Sequence, residues 1–448
     1  MVRSMSDNGN RQGMGPGRRT KVESAWQVGD MLNRYCHCIN LDKQLLRRGL
    51  EARLGGSGAY SRLVETHPHL LATSPIFVSR DQVDQMTEII DSIESTVSLK
   101  TYQDVALEWA PEVGRMHHGP RGVFFGYDFH LTNDGPKLIE VNTNAGGALL
   151  ILHLAAAQQA CCPEVEDFVV GSANLQTLEQ ELVTMFREEL RLQFPEKELR
   201  RVAVVDEDQN TQFLSPEFVL FKRLFEDQGI DAIILSPDEL VLRNGELYAD
   251  KRAIDLVYNR LTDFYLQSPQ CKILKQAYRD AVVALTPSPY AHALYANKRN
   301  LTVLSDPGLL IDLGVNARVA DVLAAGVPKT VLVSEDNAET LWKNRRGLFF
   351  KPTWGFGSKG TYRGAKLTRK KWEAILGSDY VAQELVPPSE RLLINGGDQH
   401  TMKLDVRCYV YDGAIQLLGA RMYRGQTTNF RTDGGGLAAV FTTQTQLS

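Results

Sequence analysis

The 448-residue chain has little of what marks the specialised protein classes. It lacks a long apolar run. Its most apolar stretch, ALLILHLAAAQQACC at 148–162, is short and broken by His153 and two glutamines, which excludes a membrane span there. The opening MVRSMSDNGNRQGMGPGRRTK has no apolar core, so residues 1–20 read as a disordered tail rather than a secretory signal, and a cytoplasmic location is expected. Cysteines number only six, and neither Cys36-His37-Cys38 nor Cys161-Cys162 has zinc spacing, so reduced thiols are expected. There is no basic excess: the net charge is −4, which argues against a nucleic-acid partner, and Lys343-Asn344-Arg345-Arg346 reads as a solvated face. No repeat of 20–50 residues is present.

Three familiar phosphate-binding signatures are also missing. There is no GxxxxGK[ST] loop. Gly355, Gly357 and Gly360 spell a literal GxGxxG, but TYRGAKL follows where a dinucleotide fold would open a helix. A kinase would place a lysine on the next strand and an HRD loop beyond it, and neither occurs.

What the chain does have begins at YDFHLTNDGPKLIEVNTNAGG, residues 127–147. This reads as a hairpin turning at Asn133-Asp134-Gly135. Glu140 and Asn142 share one face because strand side chains alternate, and the hairpin brings Asp128 beside them. Two carboxylates and an amide oxygen suit a hard cation such as Mg2+. Asn144, Gly146 and Gly147 follow at the start of a helix. Exposed backbone donors there favour an anion, so this segment is expected to lie against a substrate carboxylate or an acceptor.

The second cluster lies in the last third. GLFFKPTWGFGSKGTYRG reads as a strand ending in Lys351, then a flap in which Gly355, Gly357, Ser358 and Gly360 let backbone N–H groups approach phosphate oxygens. Lys298 in ANKRNL supplies another cation. YVAQELVPPSE is a short strand broken by two prolines. The backbone of Gln383, Glu384, Leu385 and Val386 is expected to meet an adenine edge, and Glu390 the ribose hydroxyls. Arg407 in LDVRCYVYDG, Arg421 on the next strand, and Asn429 with Arg431 in NFRTDGG add groups suited to phosphate and carboxylate.

The chain divides accordingly. A helical segment is expected over 21–120. The hairpin and further helices of the core occupy 121–197, and a parallel α/β unit 198–290, where strands and helices alternate. The glycine flap and strand-rich α+β region occupy 291–448.

Taken together these motifs resemble the ATP-grasp superfamily of ligases over roughly 121–147 and 290–440. In that family the two lysines, the flap and the hinge strand bind ATP. The arginines of the DxR strand and the following strand serve the γ-phosphate and the reacting carboxylate, and Asp…Glu-x-Asn hold magnesium. The resemblance therefore implies ATP and Mg2+ as cofactors. It assigns metal binding to Asp128, Glu140 and Asn142, catalysis to Arg407 and Arg421, and substrate contact to Asn144, Gly146, Gly147 and Asn429. Most members carry the metal hairpin last, whereas here it lies near residue 130, so the fold resembles the circularly permuted arrangement of eukaryotic-type glutathione synthetase and glutathionylspermidine synthetase. The strand of Arg421 is then expected to neighbour the metal hairpin in one sheet. Two departures separate this chain from both types. Gly355 stands where the first has an acidic metal ligand, and Gly126 where the second has an arginine.

The implied activity is ATP-dependent ligation of a small-molecule or peptide carboxylate to an amine or thiol through an acyl phosphate, without nucleic acid or membrane and compatible with a homodimer. A small-molecule kinase and an inactive nucleotide-binding module are the alternatives.

Overall fold

The structure, a computed structural model, describes residues 25–36, 39–160, 169–170, 175–209, 212–355, 359–395, 398–426 and 428–443. The expected tail, Cys161-Cys162, and Gly357 with Ser358 lie outside them.

Eight strands form the central sheet. Along its main path the order is Ile76–Ser79, Gly436–Thr443, Ala414–Tyr423, Asp398–Tyr411, Phe125–Thr132 and Gly135–Asn142. Ser389–Asn395 pairs with Asp398–Tyr411, and Val169–Val170 with Gly436–Thr443. Strand alternation divides the residues between two faces. Tyr127, Phe129, Val406, Cys408, Ala420 and Met422 bury against the helix Arg80–Val97, whose Met86, Ile89, Ile90 and Ile93 fill the same core. Asp128, Asp405, Arg407 and Arg421 therefore point the other way, toward the site. A capping box, Ser79 with Gln82, starts that helix directly after the edge strand.

That edge strand, with the short strand Ile39–Leu41, interrupts the segment 21–120 expected to be helical. Ile76–Ser79 is four residues long, fully buried, and parallel to Val440–Thr443. A buried strand this short has no alternation to betray it.

The α/β unit has four parallel strands in the order Ala284–Thr286, Leu256–Asn259, Arg201–Val205 and Asp231–Leu235. Arg201–Val205 is buried on both faces, as a central parallel strand should be. A third sheet is antiparallel: Thr330–Leu332, Tyr380–Glu384, Leu348–Pro352 and Tyr362–Arg363. It packs Phe350 on Trp372 and Ile375 of the helix Arg369–Leu376. TYRGAKL, read as a strand, keeps only Tyr362–Arg363 extended before a 3-10 turn at Gly364–Lys366. A Cβ at Gly364 would sit 1.8 Å from the Arg345 carbonyl oxygen, so the turn is pressed onto the neighbouring backbone.

Candidate active site

The hairpin forms as read, with Gly135 at φ +101° closing the turn. Asp128 stands opposite Glu140, and Gly126 opposite Asn142. The register then slips, since Phe129 pairs with Leu138, and Ile139 is bulged out. The bulge turns the Ile139 carbonyl toward the third sheet, where it accepts from Lys351 Nζ at 3.1 Å and Gln383 Nε2 at 3.4 Å. Lys351 also donates to Gln383 Oε1 at 2.7 Å. This bulge joins the acidic hairpin to the flap sheet.

Between them lies a cavity of about 270 Å³. At one end Lys298, Lys351 and Arg421 face Glu140, and Lys298 Nζ lies 3.9 Å from Glu140 Oε2. Burial raises the Glu140 pKa, but the charges of Lys298, Lys351 and Arg421 outweigh it and bring the group down to about 2. Burial lowers Lys351 to about 8 despite the opposing pull of Glu140. At the other end Phe349, Leu385, Val386 and Pro387 make an apolar slot, with Glu384 and Glu390 at its rim. His130 Nδ1 donates to the Val386 carbonyl at 2.9 Å, which ties the slot to the hairpin.

The hinge backbone is less open than the sequence suggested. The Glu384 amide donates to Lys329 O and the Leu385 amide to Gly347 O, each at 2.8 Å. Among the described residues the Val386 amide has no partner, which leaves it to meet a ligand edge.

Asp128, Glu140 and Asn142 do meet. The Asn142 amide donates to Asp128 Oδ2 at 3.0 Å and to Glu140 Oε1 at 3.3 Å. Yet Asp128 is already occupied. Arg407 grips it through Nε to Oδ1 at 2.6 Å and Nη2 to Oδ2 at 2.8 Å, and Arg421 Nη2 reaches Oδ2 at 2.7 Å. With three donors on Oδ2, this carboxylate acts as an anchor for arginines more than as an open cation ligand. Glu140 and Asn142 fit a divalent cation better. The amide N–H groups between the two acids stand where the acids demand positive charge.

Arg407, expected to be catalytic, is placed differently from Arg421. It is buried, lies behind Asp128 and does not line the cavity, because the strand register sets it directly opposite Asp128. Gly126 makes room for it: a Cβ there would meet Arg407 Nε at 2.9 Å and Ala145 Cβ at 2.6 Å. Arg421 does line the cavity, held by Asp405 Oδ1 at 2.7 Å. Its strand lies in the sheet of the hairpin, but one strand removed, with Asp398–Tyr411 between them.

The expected anion site after the hairpin is filled by the protein itself. Glu217 of the helix Ser215–Asp227 is fully buried and accepts from the Gly147 amide at 2.8 Å and the Leu149 amide at 3.1 Å. A carboxylate there suits the start of the helix Ala148–Ala156. Gly146 is buried and packed against Arg260, Leu214 and Glu217, and the Gly147 amide is already taken by Glu217. The Asn144 side chain donates to Leu261 O at 2.9 Å, tying the segment to the α/β unit. Asn429 organises its own loop, donating to Arg424 O at 2.8 Å and accepting from the Arg431 amide at 3.0 Å. It does not line the cavity.

Sequence reasoning missed His130, Lys359, Arg363, Lys403 and Thr428 in the lining. Lys403 pairs across the ladder with Glu390, and Arg363 with Phe349, so strand register was the signal that could have found them. A separate group, Glu207, Asp263 and Cys271, gathers in the α/β unit. Burial pushes the Cys271 thiol up to about 12, which disfavours the thiolate a metal would need.

Among solved structures, the chain is similar to a glutathione synthetase-like effector from Globodera pallida, with TM-score 0.51 and 13% identity over 90% of this chain and 97% of that one. The chain has an ATP-grasp fold of the glutathione synthetase type. Weaker likenesses run to a protein provisionally described as a gamma-glutamylcysteine synthetase from Methylobacillus flagellatus (TM-score 0.46, 12% identity, 79% of this chain and 86% of that one). They also include the ATP-grasp ligase PsnB complexed with minimal precursor, Mg and ADP (TM-score 0.29, 14% identity, 53% and 87%). No family model matches the chain, and no curated protein matches its sequence. Within this ATP-grasp fold, no described helix is long and apolar enough to cross a membrane.

Proposed function

We propose that the protein is an ATP-dependent ligase that joins a carboxylate to an amine or thiol through an acyl phosphate. The observation that carries this reading is the polarity of the central cavity. Lys298, Lys351 and Arg421 converge at one end on Glu140, while an apolar slot with the unpartnered Val386 amide closes the other. A nucleoside triphosphate has the same two ends. When bound, ATP would supply the phosphoryl group that activates the carboxylate, and Mg2+ would neutralise charge on its phosphates.

The residues present fit both groups. Lys298, Lys351 and the flap around Gly355 and Gly360 would hold phosphates, with Glu390 toward the ribose. Glu140 and Asn142 would hold the cation. Arg421 would face the transferring group, and Arg407 would keep Asp128, and through it Arg421, in place. The position of the hairpin early in the chain supports a permuted ATP-grasp order, since its strands join Asp398–Tyr411 and Ala414–Tyr423 in one sheet. The test is to follow ADP and phosphate release while screening amino acids, short peptides and polyamines. Release that needs both a carboxylate and an acceptor supports the ligase. ADP release with the carboxylate alone, leaving a stable phosphorylated product, would indicate a kinase.

A further inference from the structure

The flap-bearing sheet carries a charge imbalance that nucleotide binding does not account for. Residues 338–371 contain ten lysines and arginines against a single acid, Glu339, in a chain of net charge −4, and seven of the ten remain once Lys351, Lys359 and Arg363 of the cavity lining are set aside. At the outer face Trp342 is held between two guanidiniums. Arg345 Cζ lies 3.9 Å from the indole centroid and Arg369 Cζ 4.1 Å. Two groups at that distance must occupy opposite faces of one ring. Arg345 is fixed further by donating to Trp342 O at 2.7 Å. Around this pair Lys343, Arg346, Lys366 and Lys370 are exposed. Among the described residues, none of these six cations has an ion-pair partner. The two arginines and Trp342 border an open groove of about 680 Å³, lined also by Lys343, Trp372 and one carboxylate, Glu339, so that cations outnumber acids three to one around it.

Clustered cations without counter-charges repel one another. Stacking on an indole keeps guanidinium edges oriented while leaving most of their N–H groups available for a planar oxyanion. We propose that this face binds a short acidic segment, rich in Asp or Glu, of a peptide or protein partner. Three observations favour that occupant over other polyanions. Both faces of Trp342 are covered, so it cannot serve as the stacking platform that single-stranded nucleic acids use. Of the large hydrophobic residues described in 338–371 only Trp354 is exposed, and it packs on Tyr265 with ring centroids 5.1 Å apart and does not line this groove, so no apolar residue bordering the groove is set to enter a lipid surface. The rest of the chain is strongly acidic, and it would repel a long polyanion or an anionic membrane while leaving a short segment unaffected. The groove lies on the outer side of the sheet whose Arg363 lines the cavity, and it stands apart from the phosphate end, so the proposal does not depend on the ligase reading.

The test is fluorescence anisotropy with fluorescein-labelled deca-glutamate, compared with a thymidine decanucleotide and with phosphatidylserine vesicles. Saturable binding of the peptide at low salt is expected, weakening as salt shortens the Debye length. Arg345→Gln with Arg369→Gln should weaken it about tenfold or more, two charge-assisted contacts being removed. Lys343→Gln with Lys370→Gln, at exposed positions that leave the fold alone, should weaken it roughly threefold. No saturable peptide binding overturns the proposal, as does tighter binding of the oligonucleotide or the vesicles. Unchanged peptide affinity in the folded lysine variant overturns it even where the arginine variant fails to fold.

Discussion

Lys351→Met separates what this lysine does for the fold from what it does for the nucleotide. Lys351 is 6% exposed, and burial holds its pKa at about 8 against an ordinary 10.5. A lowered lysine pKa means that the folded state disfavours the charged form. The penalty is fully present below about pH 8 and is relieved as pH rises toward the unfolded value. The shift of about 2.5 units corresponds to about 3 kcal/mol at pH 7. Methionine removes that penalty and fills similar volume, but leaves Gln383 Oε1 without its donor and Ile139 O with only the longer bond from Gln383 Nε2, at a cost of about 1–3 kcal/mol. The variant should therefore be nearly as stable as the wild type at pH 7, or slightly more so. Between pH 7 and 9.5 the wild type should gain about 2 kcal/mol relative to it, read as the difference between paired urea unfolding curves. ATP affinity should move the other way. Loss of one charge-assisted contact, about 1.5–3 kcal/mol, weakens binding roughly tenfold to a hundredfold by calorimetry. In the wild type, affinity should decline as pH rises through about 8, where the lysine loses its proton. Equal ATP affinity in wild type and variant would refute the phosphate assignment. A stability difference that ignores pH would refute the buried-charge argument.

Other outcomes follow from the same contacts. Glu140→Gln should abolish most Mg2+-dependent turnover, measured as ADP release. Because the wild-type group is lowered to about 2, its contribution to stability should be present above pH 4.5 and be lost only as pH falls toward 2, which acid titration of wild type and variant will show. Glu217→Ala leaves two buried amides and the Arg260 charge without their carboxylate, so a loss of about 3–5 kcal/mol is expected in denaturant unfolding, with ATP affinity in the surviving folded protein little changed. Gly126→Ala drives a methyl group into Arg407 and Ala145. It should cost about 1–3 kcal/mol and lower kcat more than ATP affinity, because Arg407 is displaced from Asp128. Gly147→Val should fail through folding rather than substrate binding, since φ is +102° and Leu437 lies 2.9 Å from the added Cβ, and circular dichroism will show it.

The sequence by itself determined the local pieces. Alternation and the Asn-Asp-Gly turn specified the hairpin 125–142 and put Glu140 beside Asn142, because side-chain period is a property of the strand alone. The rhythm of apolar strands and helices specified the parallel unit, and Lys298, Lys351 and Arg421 were legible from their motifs and do converge on one cavity. Only the tertiary structure decided which donors and acceptors were already taken. Arg407 looked like a phosphate ligand but is matched by register to Asp128, and Gly146-Gly147 looked like an anion site until Glu217 arrived from a distant helix. The bulge at Ile139 joins two sheets through one carbonyl, and Ile76–Ser79 is a strand only because Gly436–Thr443 offers it an edge. Periodicity and turn chemistry act within a few residues, whereas a buried hydrogen-bonding group must find its partner wherever packing brings one.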